Sequence, residues 1–270
     1  EKITELANDV DFDSNGPWKV GEPINVFWDY QYDRMWQDTP EDNRLMELYS
    51  KIGKLTFLAG QYKIVDQPLV EVPKGTENSK TVTLDSGEEV TYLDNGFGTF
   101  NDDDKVFYNK SPKWTGGLNN SFTYKNWNLS FFTYFRFGNS YYGLTQTIGR
   151  RIENDTWSPN NVDAKFAQPT TATRTTTYDY VRNYTKGNMV LVKNIALSYT
   201  LPQKFLKKVG ASSASVYAQV LNPFLWGGEL VKAGINPDDI TGWDAGNHIG
   251  GQTNNTCITR SYVLGLRFSF

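Results

Sequence analysis

Apolar and polar residues alternate along several separate stretches of this chain. In 260–270, Tyr262, Leu264, Leu266, Phe268 and Phe270 fall on one side, and Ser261, Val263, Gly265, Arg267 and Ser269 on the other. Successive side chains of a strand point to opposite faces, so this spacing predicts a strand with one greasy and one mostly wet face. Trp127–Phe137 repeats the pattern, with Trp127, Leu129, Phe131, Phe135 and Phe137 opposing Asn128, Ser130, Tyr134 and Arg136. So do Ala214, Val216, Ala218 and Val220 against Ser213, Ser215, Tyr217 and Gln219. In 24–32, Ile24, Val26, Trp28, Tyr30 and Tyr32 share a face, with Phe27 the exception on the other. The strand over 189–201 starts apolar on both faces and then settles into Ile195, Leu197 and Tyr199 against Ala196, Ser198 and Thr200, so a bulge is expected near Lys193-Asn194. A weaker strand covers 115–124, with Leu118, Phe122 and Tyr124 on one side.

The connections alternate in length. Lys125-Asn126 permits a tight turn, and 202–212 is short and lysine-bearing, whereas 38–112, 139–187 and 223–256 are long. Short turns at one end and long loops at the other are the pattern of outer-membrane barrels, whose strands need about ten tilted residues to cross the bilayer. A soluble sandwich has short turns at both ends. The expected fold is therefore an all-β, antiparallel transmembrane β-barrel with long extracellular loops. Five or six strands cannot close one, since the smallest membrane barrels have about eight. An open edge in lipid would leave backbone groups unpaired. Residues 1–270 are thus expected to be the carboxy-terminal part of a single larger barrel domain. The opening Glu1-Lys-Ile-Thr-Glu-Leu6, with no initiator Met, basic n-region or apolar h-region, fits that expectation.

Composition changes little in this picture. A mean hydropathy of −0.54 is compatible with a barrel, because half of each strand faces a polar lumen. No apolar run reaches the length of a transmembrane helix. The net charge of −3 excludes nucleic acid as an expected partner. One cysteine, Cys257, cannot form an internal disulfide. The threonine-rich run 170–177 reads as a solvated surface segment.

Several ordered motifs resemble one family. They are Val20-Gly-Glu-Pro-Ile-Asn-Val-Phe-Trp-Asp-Tyr-Gln-Tyr-Asp-Arg-Met-Trp-Gln37, Asp94-Asn-Gly-Phe-Gly98 followed by Asp102-Asp-Asp104, and the stretch from Pro112-Lys-Trp-Thr-Gly-Gly117 to Tyr124-Lys-Asn-Trp-Asn-Leu-Ser130. Val190-Leu-Val-Lys-Asn-Ile-Ala-Leu-Ser-Tyr-Thr-Leu-Pro202, Gln219-Val-Leu-Asn-Pro-Phe224, Ile235-Asn-Pro-Asp238 and Arg260-Ser-Tyr262 continue the series. In this order they resemble SusC/RagA-type TonB-dependent outer-membrane transporters. Arg34 stands where that family has Gly, Phe97 stands where it has Asp, and 38–93 matches poorly, which leaves its topology open. The resemblance implies a 22-stranded barrel with a plug domain and earlier strands upstream. It also implies TonB acting through an upstream segment and a SusD-like surface lipoprotein as partner. The implied function is active import of oligosaccharides or oligopeptides across the Gram-negative outer membrane, and the aromatics of the long loops favour oligosaccharides. No enzyme activity and no cofactor are implied.

The site candidates follow. Trp226, Trp243 and Trp157 lie in or beside the long loops, where aromatic faces can stack on sugar rings or peptide side chains. The plainer reading of Trp226, Tyr141 and Tyr142 is an interfacial aromatic girdle. Asp244, Asn247 and the single histidine, His248, accompany Trp243 in the loop before the last strand; loops of that length are functional or disordered, and the alternative is a loop that only shields the barrel mouth. No nucleophile elbow accompanies His248, which disfavours a hydrolase. Asp94, Asp102 and Asp104 are weak calcium candidates, because the spacing of an EF-hand loop fails with Gly96, Gly98 and Lys105 at ligand positions. Leu266, Phe268 and Phe270 are expected to carry the membrane-insertion signal and to face outer-membrane lipid. The alternative class is a secreted carbohydrate-binding β-sandwich.

Overall fold

The computed structural model describes residues 2–142, 155–207, 210–232, 236–239 and 259–270. The chain divides into two compact units, one formed by 1–108 and 145–184 and the other by 109–144 and 185–270. Among the described residues, no helix is long and apolar enough to cross a membrane.

The first unit is built from short pieces: β1 (Phe12–Asp13), β2 (Trp18–Lys19), β3 (Val26–Tyr30), β4 (Tyr32–Met35), helix α1 (Pro40–Gly53), β5 (Tyr62–Ile64), β6 (Ser79–Thr83), β7 (Glu89–Leu93) and β8 (Lys105–Asn109). They pair two by two, as β1–β2, β3–β8, β4–β5 and β6–β7. The stretch 24–32, expected as a wall strand, is here instead. Its periodicity is that of a strand, but Trp28 packs on Phe12 with ring centroids 4.6 Å apart and Phe27 packs on Tyr184 at 5.4 Å. Both faces are therefore covered by this unit's own aromatics.

Helix α1 fills part of the region where sequence left the topology open. Thr39 caps it by accepting the Asp42 N–H, Pro40 starts it, and acidic Glu41 and Asp42 lie in its first turn. Its inner face carries Leu48 and Tyr49 into a core with Trp36, Phe57, Leu84, Val90 and Phe97. The two motif departures both serve this helix. Arg34 grips the buried Asp42 carboxylate with two bonds of 2.6 Å, and the Gln37 N–H adds a third at 2.8 Å. Burial alone would raise the Asp42 carboxyl, but these donors outweigh it and hold it below the usual range. Phe97 packs on Tyr49 with centroids 4.9 Å apart. At the helix end, a Cβ on Gly53 would lie 1.8 Å from the Gly98 carbonyl oxygen, so only glycine permits this approach.

The second unit is a five-stranded antiparallel sheet in the order β15–β14–β13–β10–β9. Its strands are β9 (Trp114–Tyr124), β10 (Trp127–Phe137), β13 (Met189–Thr200), β14 (Ser213–Gly227) and β15 (Ser261–Ser269). The strands predicted for these segments are all present. Lys125, with φ of 51°, makes the tight turn between β9 and β10. A two-rung pair, β11 (Ser140–Tyr141) with β12 (Thr185–Lys186), pinches the base of the 139–187 connection. Short helices α2 (Gln203–Leu206) and α3 (Glu229–Lys232) flank β14.

Truncating Phe97 to alanine removes a ring from the α1 core and should cost about 3 kcal/mol locally. In the full-length protein, Phe97→Ala should speed protease cleavage within 38–93 and leave the folded sheet's heat-modifiable band unchanged. Equal cleavage rates would contradict this account of the core.

Candidate functional site

Strand pairing assigns the two faces of the sheet. Directly opposed residues share a face, so Phe122–Leu129–Leu197–Ala218–Leu264 forms one row across all five strands. The row Asn120–Phe131–Ile195–Val220–Tyr262 runs beside it. The bulge stands where sequence placed it: the β13–β14 register shifts between Val192 and Asn194. It brings Val190 and Val192 onto the same face as Ile195 and Leu197, while Met189 and Leu191 lie buried on the opposite face level with Arg136 and Tyr134, so both parities are apolar before Lys193. This face ends in two aromatic rows. Tyr124, Trp127 and Tyr199 mark the short-turn end, while Trp114, Phe137, Phe135, Phe224 and Trp226 mark the loop end. Leu264 is 83% exposed, Phe122 59% and Leu118 55%, which no soluble interior would leave open over such an area.

The opposite face is polar at its centre. Asn119, Ser121, Thr123, Asn128, Ser130, Ser198, Ser215 and Gln219 line it. Asn128 donates to Ser121 at 3.0 Å and to Thr123 at 2.9 Å, so this polar ladder is tied together across strands. Strand glycines let aromatic rings lie flat on their neighbours. The Tyr217 ring occupies the space where a Gly265 Cβ would sit, and Phe135 does the same over Gly116.

At the loop end of this polar face, β10 and β13 hold residues 237–238 of the connection that precedes β15. Arg136 donates to the Pro237 carbonyl and, at 2.7 Å, to the Tyr141 hydroxyl. Lys193, at the bulge, reaches Asp238 at 3.1 Å and lies 4.8 Å above the Tyr134 ring. Asn236 is buried and accepts the Asp238 N–H at 3.0 Å. The Asn-Pro-Asp motif at 236–238 is thus a loop anchor. Sequence reasoning listed the motif but missed Arg136 and Lys193 as its partners; the lysine at the expected bulge was the available signal.

The expected site residues separate. Trp226 is on the apolar face, stacked on Phe224 with centroids 5.4 Å apart, which favours the girdle reading over a ligand face. Trp157 is buried in the first unit against Met35 and Ala164, with its indole N–H bonded to Gln37 at 3.1 Å. Its ring covers Gly60 and offers no free face, so the ligand-stacking expectation for Trp157 is corrected. Trp243, Asp244, Asn247 and His248 lie outside the described residues.

The three calcium candidates go different ways. Asp94 pairs with Lys80 at 2.8 Å and Asp102 with Lys105 at 2.9 Å. Asp104 is buried and accepts the Asn101 N–H at 2.8 Å and the Gln67 N–H at 3.2 Å. Among the described residues no three ligating groups converge. Nearby, burial pushes the Asp66 carboxyl up against the lowering effect of the Gly98 and Gln67 N–H groups. This loop is a hydrogen-bonded turn. The 170–177 run is mostly exposed, as expected, but Thr175 ties it to Thr56 through bonds of 2.8 and 2.9 Å.

Leu266 and Phe268 extend the apolar face along β15, opposite Val216 and Ala214, and Phe270 stacks on Phe268 with centroids 6.4 Å apart. An arginine on a lipid-facing strand position near the midplane costs about 2–4 kcal/mol. Leu264→Arg should therefore reduce folded protein in outer membranes far more than Val263→Arg on the other face, as read by heat-modifiable mobility. Equal tolerance of both changes would favour the soluble sandwich.

No family model matches the chain. A curated relative, TonB-dependent receptor P3 of Formosa agariphila, is 28% identical over 174 residues, covering 62% of this chain and 17% of its own length. The RagAB peptide importer superposes over the whole chain, in its open-open state with a TM-score of 0.56 and in its closed-closed state with 0.55, each at 16% identity. This chain spans 25% of the first of those structures and 26% of the second. In its motifs this chain resembles the SusC/RagA type of TonB-dependent transporter, and in its fold it is similar to about a quarter of the RagAB importer.

Proposed function

We propose that the five-stranded sheet is part of the wall of a transmembrane barrel in a Gram-negative outer membrane, and that the whole protein imports oligomeric nutrients in a TonB-dependent way. The observation that carries this reading is the pair of unlike faces: one apolar face bounded by two aromatic rows, and one hydrogen-bonding face of Ser, Thr, Asn and Gln. Both units would belong to one larger barrel domain, of 22 strands in the family, with the plug upstream. A SusD-like lipoprotein would close over the long loops, and TonB would act through the upstream plug. Leu266, Phe268 and Phe270 would serve insertion. Chemistry on the ligand is not part of this reading.

The inward face suits a neutral, hydrogen-bonding oligomer. The glycan preference rested on loop aromatics, and Trp157 and Trp226 no longer support it; Trp243, with Asp244, Asn247 and His248, remains its basis. The peptide reading draws on the RagAB peptide importer, whose fold this chain shares. In a deletion strain carrying the full-length gene, the Trp243→Ala, His248→Ala double variant should lower uptake of either labelled oligosaccharides or labelled peptides, with barrel abundance unchanged. The affected class identifies the cargo. Wild-type uptake of both would remove this loop from the site.

The short turns are expected on the periplasmic side. A membrane-impermeant thiol reagent on whole cells should label a cysteine placed at Thr173 and spare one placed at Lys207. The reverse pattern would overturn the orientation.

A further inference from the structure

The sheet carries no carboxylate side chain of its own. Segments 109–142, 185–228 and 259–270, which supply its strands and turns, contain no Asp or Glu. Cations on its polar face must therefore find their anions elsewhere. On β10 and β13 those cations are Arg136 and Lys193. Lys193 lies 4.8 Å above the ring of Tyr134 and reaches Asp238 at 3.1 Å. Arg136 meets no carboxylate among the described residues. It donates to the Tyr141 hydroxyl at 2.7 Å and to the Pro237 carbonyl, both of them neutral acceptors. The Tyr141 hydroxyl donates to that same carbonyl at 3.1 Å. One carboxylate thus serves two cations, and a guanidinium is matched better by the two oxygens of a carboxylate than by a single carbonyl oxygen.

The surroundings of Arg136 hold further unused hydrogen-bonding capacity. Its Nε is buried without an acceptor, and Asn139 Oδ1 and Thr185 Oγ1 are buried without a partner, on residues only 2% and 3% exposed. Thr185 opposes Tyr141 in the β11–β12 pair, and the Asn139 side chain bonds the Tyr141 hydroxyl. Leaving such groups unpaired is costly. The Arg136 Nε–H and the Thr185 hydroxyl can donate to carboxylate oxygens, and Asn139 Oδ1 can accept from a donor beside that carboxylate.

We propose that Arg136 and Lys193 form a binding subsite for a carboxylate of the transported oligomer, and that Pro237 and Asp238 are an internal strap that this ligand displaces. Asp238 presents to Lys193 the group that the ligand brings. Pro237 presents to Arg136 one oxygen, which a carboxylate replaces with two. Lys193 exchanges one anion for another while Arg136 gains one, so an acidic ligand displaces the strap and a neutral one does not. The Asp238 side chain is already 25% exposed and that of Lys193 39%, so the released carboxylate passes to water. Acidic peptides carry a carboxylate near a backbone N–H, and uronate-bearing glycans carry one near ring hydroxyls; either supplies the donor for Asn139.

The inference rests on the reading of this face as the wall of an import path: its neutral centre takes the body of the oligomer, and its loop end takes a carboxylate. Full-length protein in nanodiscs is titrated by fluorescence anisotropy with four labelled probes. They are a glutamate-containing hexapeptide and its glutamine counterpart, and an oligogalacturonate hexamer and its methyl ester. Asp238→Ala should bind one acidic probe about tenfold more tightly than wild type, as expected for losing one charge-assisted competitor, with the neutral counterpart unchanged. Asp238→Asn, which keeps the side chain's shape, should shift binding in the same direction. Adding Arg136→Gln to either variant should abolish the gain while the heat-modifiable band stays wild-type. The acidic probe that gains identifies the source of the carboxylate. No gain for either acidic probe, a gain shared by its neutral counterpart, or a gain that survives Arg136→Gln would overturn the inference and leave the import reading standing. Strap-dependent binding of an acidic probe with no TonB-dependent uptake of it by whole cells would overturn the import reading and leave the subsite standing.

Discussion

Everything in the sheet depends on backbone hydrogen bonding held in register across five strands. Where no water competes, each N–H and C=O must find a partner in the neighbouring strand. Once strands pair in this way, side-chain direction is set by parity alone, and a shift of one residue would turn the apolar set inward. The bulge at Lys193 is the one place where parity changes within a strand, and it keeps Val190, Val192, Ile195 and Leu197 on a single face. Glycines at 116 and 265 let large rings close the surface without breaking that register.

The wall was legible from sequence because its physics is local. Period-two alternation in 115–124, 127–137, 195–201, 213–220 and 260–270 maps onto paired strands, and the double-apolar start of β13 pointed to its bulge; β14 runs on to Gly227, into residues read as part of a long connection. The same rule misled at 24–32. There the alternation is equally regular, but Phe27 on the supposedly wet side marked a strand covered on both faces. Trp157 was misjudged for a related reason. Position in a long connection says nothing about whether that connection folds upon itself, and here Met35, Gly60 and Ala164 close over the indole.

The motif departures carry more information than the matches. Arg34 and Phe97 differ from the family pattern, lie far apart in sequence, and meet at one helix. Arg34 neutralises Asp42 at the start of α1, and Phe97 packs on Tyr49 in its middle. Helix capping, ion pairing and ring packing thus act together on the region that sequence could not place. The Asn-Pro-Asp motif shows the converse. Its residues were recognisable, yet its role as an anchor depends on Arg136 and Lys193, which are distant in sequence and become partners only once β10 and β13 are paired.

The central claim is that one face of the sheet contacts lipid and the other water. Nitroxide labels at Leu197 and at Ser198, adjacent on β13, test it most directly in the reconstituted full-length protein. The label at Leu197 should be relaxed strongly by oxygen, which partitions into the bilayer, and weakly by a water-soluble nickel chelate. The label at Ser198 should show the opposite order. Equal accessibility of both labels to the nickel chelate would contradict the account.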